Sequence, residues 1–402
     1  MLTSEVINTS AIALAATNNA SNAVPYLGLQ FFPEMKKAGL DLKWIKTHKG
    51  LPVTLKASNF DALPALRTRE GVKIEKTQMA FFRETMQITE EDEQEIGRAD
   101  DENDPYLKSA LQSVYDDTNA LLSGAEVVPE RMRMSLLATT EGHPSIGIES
   151  DGVKYEYDYD PNGEYAAKHY LKLEGTSDWS DTENSKPLTD LNNARKALAK
   201  LGKIASYVLM NSNTFEYLLN NKQVKNAILA QNLTANIEMT EENVVSIVRS
   251  RTKLSIVLYD KMYMDENKND QYFYPDNKVT LLPAGALGKT WFGTTPEERT
   301  ASQVADVDVS MYGVGIAIAK KVEYGPPAVT SVTASEIVLP SYENMDSTFV
   351  IKVSTKYTYE AVSDASGNPK EQGWYEKSGN DYVLTSDESV TGSKTYYTRK
   401  EV

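Results

Sequence analysis

Three groups of residues have types and spacings that chemistry uses. Residues 286–290, ALGKT, end in Gly-Lys-Thr, the part of a phosphate-binding loop where lysine meets phosphate and threonine meets magnesium. That loop also needs a glycine five residues before the Gly of Gly-Lys-Thr, so that backbone N–H groups curl around the anion. The position is Pro283, which has no N–H, Gly285 sits at the wrong offset, and Trp291-Phe292-Gly293 does not continue as a helix. Asp265, Asn267 and Asn269 imitate the first three ligands of a calcium loop, but the sixth position is Asp270, where the turn needs glycine, and the twelfth is Asp276. A polar hairpin turn accounts for them. Gly313-Val314-Gly315 is a lone fragment inside a predicted strand. His48, His143 and His169 are far apart, and neither an HExxH pair nor a GxSxG elbow occurs. Carboxylates are so abundant that no acid–base pair stands out. Nothing points to catalysis, a metal or a cofactor, and the expectation is that the protein is not an enzyme.

The composition narrows the class further. A chain of 402 residues with 41% apolar residues builds two or three folded units with sizeable cores. Its apolar runs are all short of a membrane span. The apolar patch Ala11 to Ala16 is brief and the first Lys or Arg is Lys36, so the start does not read as a signal peptide. Cysteine is absent, which removes disulfides, thiol nucleophiles and thiolate metal sites. A net charge of −15 argues against a dedicated nucleic-acid binder, which needs clustered Lys and Arg to release counterions.

The elements around these residues point to work done by contact. Residues 1–24, rich in Asn, Ala, Ser and Thr, read as an extended or disordered arm, anchored by Tyr26 to Pro33. From Leu40 to about Ile88 the apolar residues alternate: Leu40, Leu42 and Trp44, then Val53 and Leu55, then Val72 and Ile74. This is a long β-excursion, too thin at its tip for its own core, that either meets a partner surface or folds back on its own domain. Glu90 to Asp104 is an acidic run with Arg98 as its one cation, read as a solvated helix start or loop. Leu107, Leu111, Val114, Thr118 and Leu121 predict one helix ending at Gly124. Ala125 to Thr140, with Pro129 in its first turn, Met132, Leu136 and Leu137 on one stripe and Arg131 and Arg133 off it, predicts a second, stopped by Gly142.

Val153 to Asp158 and Ala167 to Leu173 read as strands. Between Asp190 and Leu282, helices capped by Thr189 or Asp190, by the Asn211-Ser212-Asn213 turn and by Thr240 alternate with strands, predicting a compact α/β unit. Val314 to Val322 and Ile337 to Val353 return to strand character. After about Thr355 the composition shifts to Tyr, Ser, Gly and Thr, with a weak repeat of Tyr359…Gly373-Trp374-Tyr375 in Tyr382…Thr395-Tyr396-Tyr397.

Phe31-Phe32-Pro33 with Leu42-Lys43-Trp44-Ile45, Leu282-Pro283-Ala284-Gly285 through Gly288-Lys289-Thr290-Trp291-Phe292-Gly293-Thr294-Thr295-Pro296-Glu297, and Glu336-Ile337-Val338-Leu339-Pro340-Ser341-Tyr342 through Val350-Ile351-Lys352-Val353 occur in an order and spacing that resembles the lambda-type major capsid proteins of tailed phages, the major capsid protein E family. The likeness spans roughly residues 25–353. It implies an α+β, HK97-like capsid fold. Residues 1–24 are then an N-terminal arm. Residues 25–186 form the first part of a peripheral domain, with an extended β-loop at about 40–80 and a spine helix at about 125–141. Residues 187–300 form an axial domain, 301–354 the return to the peripheral domain, and 355–402 a β-rich C-terminal extension. The implied function is a self-assembling head shell of hexamers and pentamers around double-stranded DNA, located in the virion and, during assembly, in the host cytoplasm. Implied partners are other copies of the chain, a scaffolding protein, a decoration protein, the portal and DNA bound without sequence readout, with no membrane. Trp44, Leu51, Phe60, Leu63 and Arg69 are the residues expected at the subunit interface, and catalytic, metal and cofactor sites are expected to be absent. A surface adhesion or pilus-like β-rich module is the alternative class.

Overall fold

In the computed structural model the described residues are 9–10, 12–13, 25–46, 73–88, 105–150, 152–230, 239–301, 308–323, 329–355, 357–362, 366–378, 381–391 and 394–401. The short helix Gly28–Phe31 (α1) leads into strand Glu34–Lys36 (β1), the ribbon Asp41–Lys46 (β2) and Lys73–Gln78 (β3), and strand Ala80–Ile88 (β4). Helix Pro105–Leu137 (α2) is followed by the hairpin Ser145–Ser150 (β5) and Val153–Asp158 (β6), then helix Glu164–His169 (α3) and strand Tyr170–Lys172 (β7). Next come Pro187–Lys200 (α4), Tyr207–Met210 (β8), Ser212–Asn220 (α5), Lys222–Leu229 (α6), Glu241–Thr252 (α7), Ser255–Leu258 (β9), the hairpin Met262–Met264 (β10) and Asp270–Tyr272 (β11), and Lys278–Leu282 (β12). The chain returns through Lys289–Phe292 (β13), Pro296–Ala301 (α8), Asp308–Tyr312 (β14), Ile316–Glu323 (β15), Val329–Ser341 (β16) and Phe349–Lys352 (β17). It closes with Tyr357–Ala361 (β18), Tyr375–Ser378 (β19), Asp381–Leu384 (β20) and Tyr396–Glu401 (β21).

Two sheets organise the molecule. A six-stranded sheet runs β1-β13-β16-β15-β14, with β4 paired to the other side of β16. β16 alternates half-buried and buried residues over its first half and is buried on both faces from Ala334 on, where α2 covers one face. A five-stranded sheet runs β7-β17-β12-β8-β9 and carries α4, α5, α6 and α7. Leu191 and Leu198 of α4, Phe215 and Leu218 of α5, and Val244 and Val248 of α7 share its core with Val208, Leu281 and Ile351. The helices start where side chains satisfy free backbone N–H groups. Asn211 accepts from the Thr214 N–H at 2.9 Å, Asn221 from the Gln223 N–H at 2.8 Å, and Thr240 from the Asn243 N–H at 3.4 Å. The five-stranded sheet takes β8, β9 and β12 from between Asp190 and Leu282 and β7 and β17 from outside that range, while β13 joins the six-stranded sheet.

Several local expectations change. The two helices expected at 107–124 and 125–140 are one helix of 33 residues, roughly 50 Å long, running through Gly124 and Pro129. Gly124 costs only about 1 kcal/mol inside a helix. Pro129 leaves the Ala125 carbonyl without its usual donor, a cost of about 3 kcal/mol. Burial of Leu122, Met132, Met134, Leu136 and Leu137 offsets both. The strand expected over Ala167 to Leu173 is the end of α3 followed by β7. α4 starts at Pro187, whose fixed φ suits a first helical residue, so the expected caps Thr189 and Asp190 fall inside the helix. Gly313-Val314-Gly315 is the turn between β14 and β15, with Gly313 at φ +58°. The acidic run Glu90 to Asp104 lies outside the described residues.

The tail is a separate four-stranded sheet, β18-β21-β19-β20, with Trp374 packed on Tyr396 at 5.7 Å. The weak sequence repeat maps onto it symmetrically. Tyr359 and Tyr382 lie in the outer strands, and the inner strands pair Tyr375 with Tyr397.

Candidate assembly surfaces

The Gly-Lys-Thr stretch, Asp265 and His169, which suggested chemistry, have structural occupations. Gly288 lies where a Cβ would sit 1.7 Å from the Ser341 carbonyl oxygen, so only glycine allows the two backbones to meet there. The Leu287 N–H donates to the Phe31 carbonyl at 2.8 Å and Thr290 begins no helix but sits in β13, so no N–H nest is left for a phosphate. Asp265 accepts from the N–H groups of Asn267 and Asn269 at 2.9 and 2.8 Å and shapes the β10–β11 turn. His169 stacks on Tyr165 at 4.9 Å, and its Nδ1 lies 2.9 Å from the Thr348 carbonyl oxygen. Burial, the largest cause, lowers its pKa and favours the neutral ring. His143 is exposed and His48 lies outside the described residues. Among the described residues no His, Asp and Glu group is arranged to hold a metal.

The β2–β3 ribbon is the root of the β-excursion. Leu42 and Trp44 face the main core, and Trp44, 8% exposed, packs on Tyr159 at 5.6 Å. Its indole N–H has no acceptor among the described residues. Alternate residues of β6 and its end brace the ribbon and its continuation. Tyr157 donates to the Gln78 carbonyl at 3.0 Å, Tyr155 donates to the Phe81 carbonyl at 3.2 Å, and Tyr159 donates to the Pro340 carbonyl at 2.6 Å. Trp44 is therefore an anchor within its own chain. Leu51, Phe60, Leu63 and Arg69 lie outside the described residues.

Parts of the expected arm touch the chain's own body. Thr9, Ser10, Ile12 and Ala13 are helical. The Thr9 N–H and hydroxyl donate to Asp308 at 2.9 and 2.7 Å, and Ile12 is buried with Ile88, Leu122 and Tyr312.

A buried polar cluster joins α2 to both sheets. Arg133, 1% exposed, donates from Nε to Thr290 Oγ1 at 2.8 Å, from Nη2 to Glu34 at 2.8 Å and from Nη1 to Glu130 at 3.3 Å. Glu130 in turn accepts from the Gly28 N–H at 2.9 Å and the Tyr259 hydroxyl at 2.8 Å. Burial and the Glu130 charge raise the pKa of Tyr259 and keep that hydroxyl a donor. The C-terminal end of α2 is closed by Lys278, whose ammonium donates to the carbonyls of Ala138 and Thr139 at 2.9 and 3.1 Å. Burial, with Lys352 adding to it, lowers the Lys278 pKa to about 8. The sequence reading placed Arg133 off the buried stripe. The available signal was its i,i+3 spacing from Glu130, which lets the two satisfy each other in the core.

Glu336 is the unpaired member of this region. It is 1% exposed on the β16 face shared with Val332, Ala334 and Val338, and neither carboxylate oxygen has a hydrogen-bond partner among the described residues. Burial holds its pKa well above the ordinary carboxylate value of 4.5. Arg133 opposes that rise and Glu34 and Glu126 add to it. A carboxyl raised in the fold contributes stability that is full below the unfolded pKa and lost as pH rises through the folded one. Urea unfolding of the subunit across a pH series is expected to show the wild type losing stability from about pH 4.5 upward relative to Glu336→Gln. Parallel curves for the two proteins would contradict this assignment.

The comparisons with known proteins agree with these observations. A family model described as phage major capsid protein E matches residues 9–325. The sequence finds no match among curated proteins. A solved structure assigned as the capsid protein of a prophage of Escherichia coli CFT073 is similar at a TM-score of 0.54 and 15% identity, over 87% of this chain and 99% of that one. A phage-related protein from Bordetella bronchiseptica RB50 follows at 0.49 and 12%, over 86% and 97%. The capsid protein of cyanophage A-1(L) stands at 0.47 and 12%, over 82% and 92%. The first of these carries the fold, which is the HK97-like capsid fold. With the family match spanning residues 9–325 of 402, the chain belongs to the phage major capsid protein E family, whose members are structural head-shell proteins.

Proposed function

We propose that this chain closes, in many copies, into an icosahedral head shell of hexamers and pentamers around double-stranded phage DNA. The observation that carries the reading is the family match over residues 9–325. The long helix α2 locked between two sheets supports it, because a shell subunit needs a rigid body on which contacts repeat without distortion. In this reading residues 1–24 are an arm, about 40–80 the loop that lies over a neighbour, 187–300 the unit that meets its copies around the symmetry axes, 301–354 the return to the peripheral body and 355–402 an added module. Trp44, Leu51, Phe60, Leu63 and Arg69 lie at the contact with the neighbouring subunit, Trp44 at its root, where it also packs on Tyr159 of its own chain. Each contact is weak and the closed shell sums them. A net charge of −15 keeps packaged DNA from adhering to the wall. Scaffolding and decoration proteins and the portal are the further partners, and assembly takes place in the host cytoplasm.

Sedimentation tests this reading. The 44.7 kDa chain, alone or with the neighbouring head genes, is expected to move into particles of megadalton size. A chain that stays monomeric in both settings overturns it.

A further inference from the structure

Four cations meet at one end of the α/β unit in a chain whose net charge is −15. Arg195 of α4, Lys203 just beyond it, Arg249 of α7 and Lys253 just beyond that line a pocket of about 470 Å³ with Ile204 and Ala284. Ile204 is 80% exposed there, the most exposed of the large apolar side chains described. Arg195 is held by Asn192 at 3.1 Å, and among the described residues no carboxylate forms an ion pair with any of the four. Arg249 in the last turn of α7, and Lys203 and Lys253 just past the ends of α4 and α7, do compensate the helix dipoles. Two such ends, each about half a charge, need far less than four positive charges.

We propose that this pocket receives the acidic tract 90–104 of a neighbouring copy. The tract places Glu90, Glu91, Asp92, Glu93 and Glu95 directly before Ile96. It thus offers both the carboxylates that four cations without a carboxylate partner among the described residues attract and an apolar residue for the bare Ile204. The concave pocket is the size of a few side chains, which suits a peptide better than the broad backbone of a DNA duplex. The proposal rests on the shell reading, which sets copies side by side.

The absence of cysteine makes the test clean. A chain carrying both I204C and E93C holds two thiols. Mild oxidation of its assembled particles is expected to give a ladder of disulfide-linked multimers on a non-reducing gel, absent from either single variant. The double charge reversal K203E/K253E is expected to raise the concentration needed for assembly at least tenfold, and adding E91K/E93K is expected to restore it. Particles that form without a ladder, an internally linked monomer only, or charge reversals that change DNA retention but not assembly overturn the docking while leaving the shell reading intact. No particles from the unaltered chain overturn both.

Discussion

Replacing Arg133 by alanine is expected to destabilise the subunit by about 3–5 kcal/mol, as breaking a buried ion pair does by stranding the remaining charge. The loss is large here because one guanidinium serves three elements at once: Thr290 in β13, Glu34 in β1 and Glu130 one turn earlier in α2. Without it, Glu130 is a fully buried carboxylate with only the Gly28 N–H and the Tyr259 hydroxyl as donors. Glu130→Ala is expected to cost a similar amount for the mirror-image reason. The double variant R133M/E130M, which removes both charges and keeps volume, is expected to recover much of the loss. Urea unfolding of the unassembled subunit measures all three. A single variant within 1 kcal/mol of wild type would contradict the assignment.

Excising the tip of the β-excursion, from Leu51 to Arg69, is expected to abolish shell formation and leave a soluble, folded subunit. The effect is amplified by repetition, since every interface in the shell loses the same contact and each 1.4 kcal/mol lost is tenfold in that contact's association constant. The excision spares Leu42, Trp44 and the β2–β3 ribbon, which belong to the subunit's own core. Deleting residues 1–24 is a blunter test. It also removes the Thr9–Asp308 hydrogen bonds and buried Ile12, so a failure to assemble would mix interface loss with subunit damage. Normal shells from the excised chain, seen by sedimentation and microscopy, would contradict the role given to the loop.

Much of this was legible in the sequence where local signals and tertiary context agree. Asn211 and Thr240 cap helices as their residue types require, and Val153 to Asp158 alternates because one face of β6 packs on the ribbon and the other meets solvent. Reading failed where tertiary burial overrides a local signal. Gly124 and Pro129 both say stop, and α2 runs through them because its C-terminal half is buried between the sheets. The first half of β16 carries Ser331 and Thr333 on its half-buried face and was too polar to read as a strand, although β4 and β15 pair with it on both sides. Arg133 looked like a surface cation because composition cannot say that Glu34, ninety-nine residues away, comes within 2.8 Å of it. Family resemblance supplied the order of the segments. It did not supply the buried Glu336 or the cationic pocket, which exist only once distant elements are brought together.

Electron microscopy of particles purified from cells that make this chain with its neighbouring head genes tests the central claim most directly. Closed, round shells with clusters of five and six subunits are expected. Open filaments, irregular aggregates or dispersed monomers as the only products would contradict it.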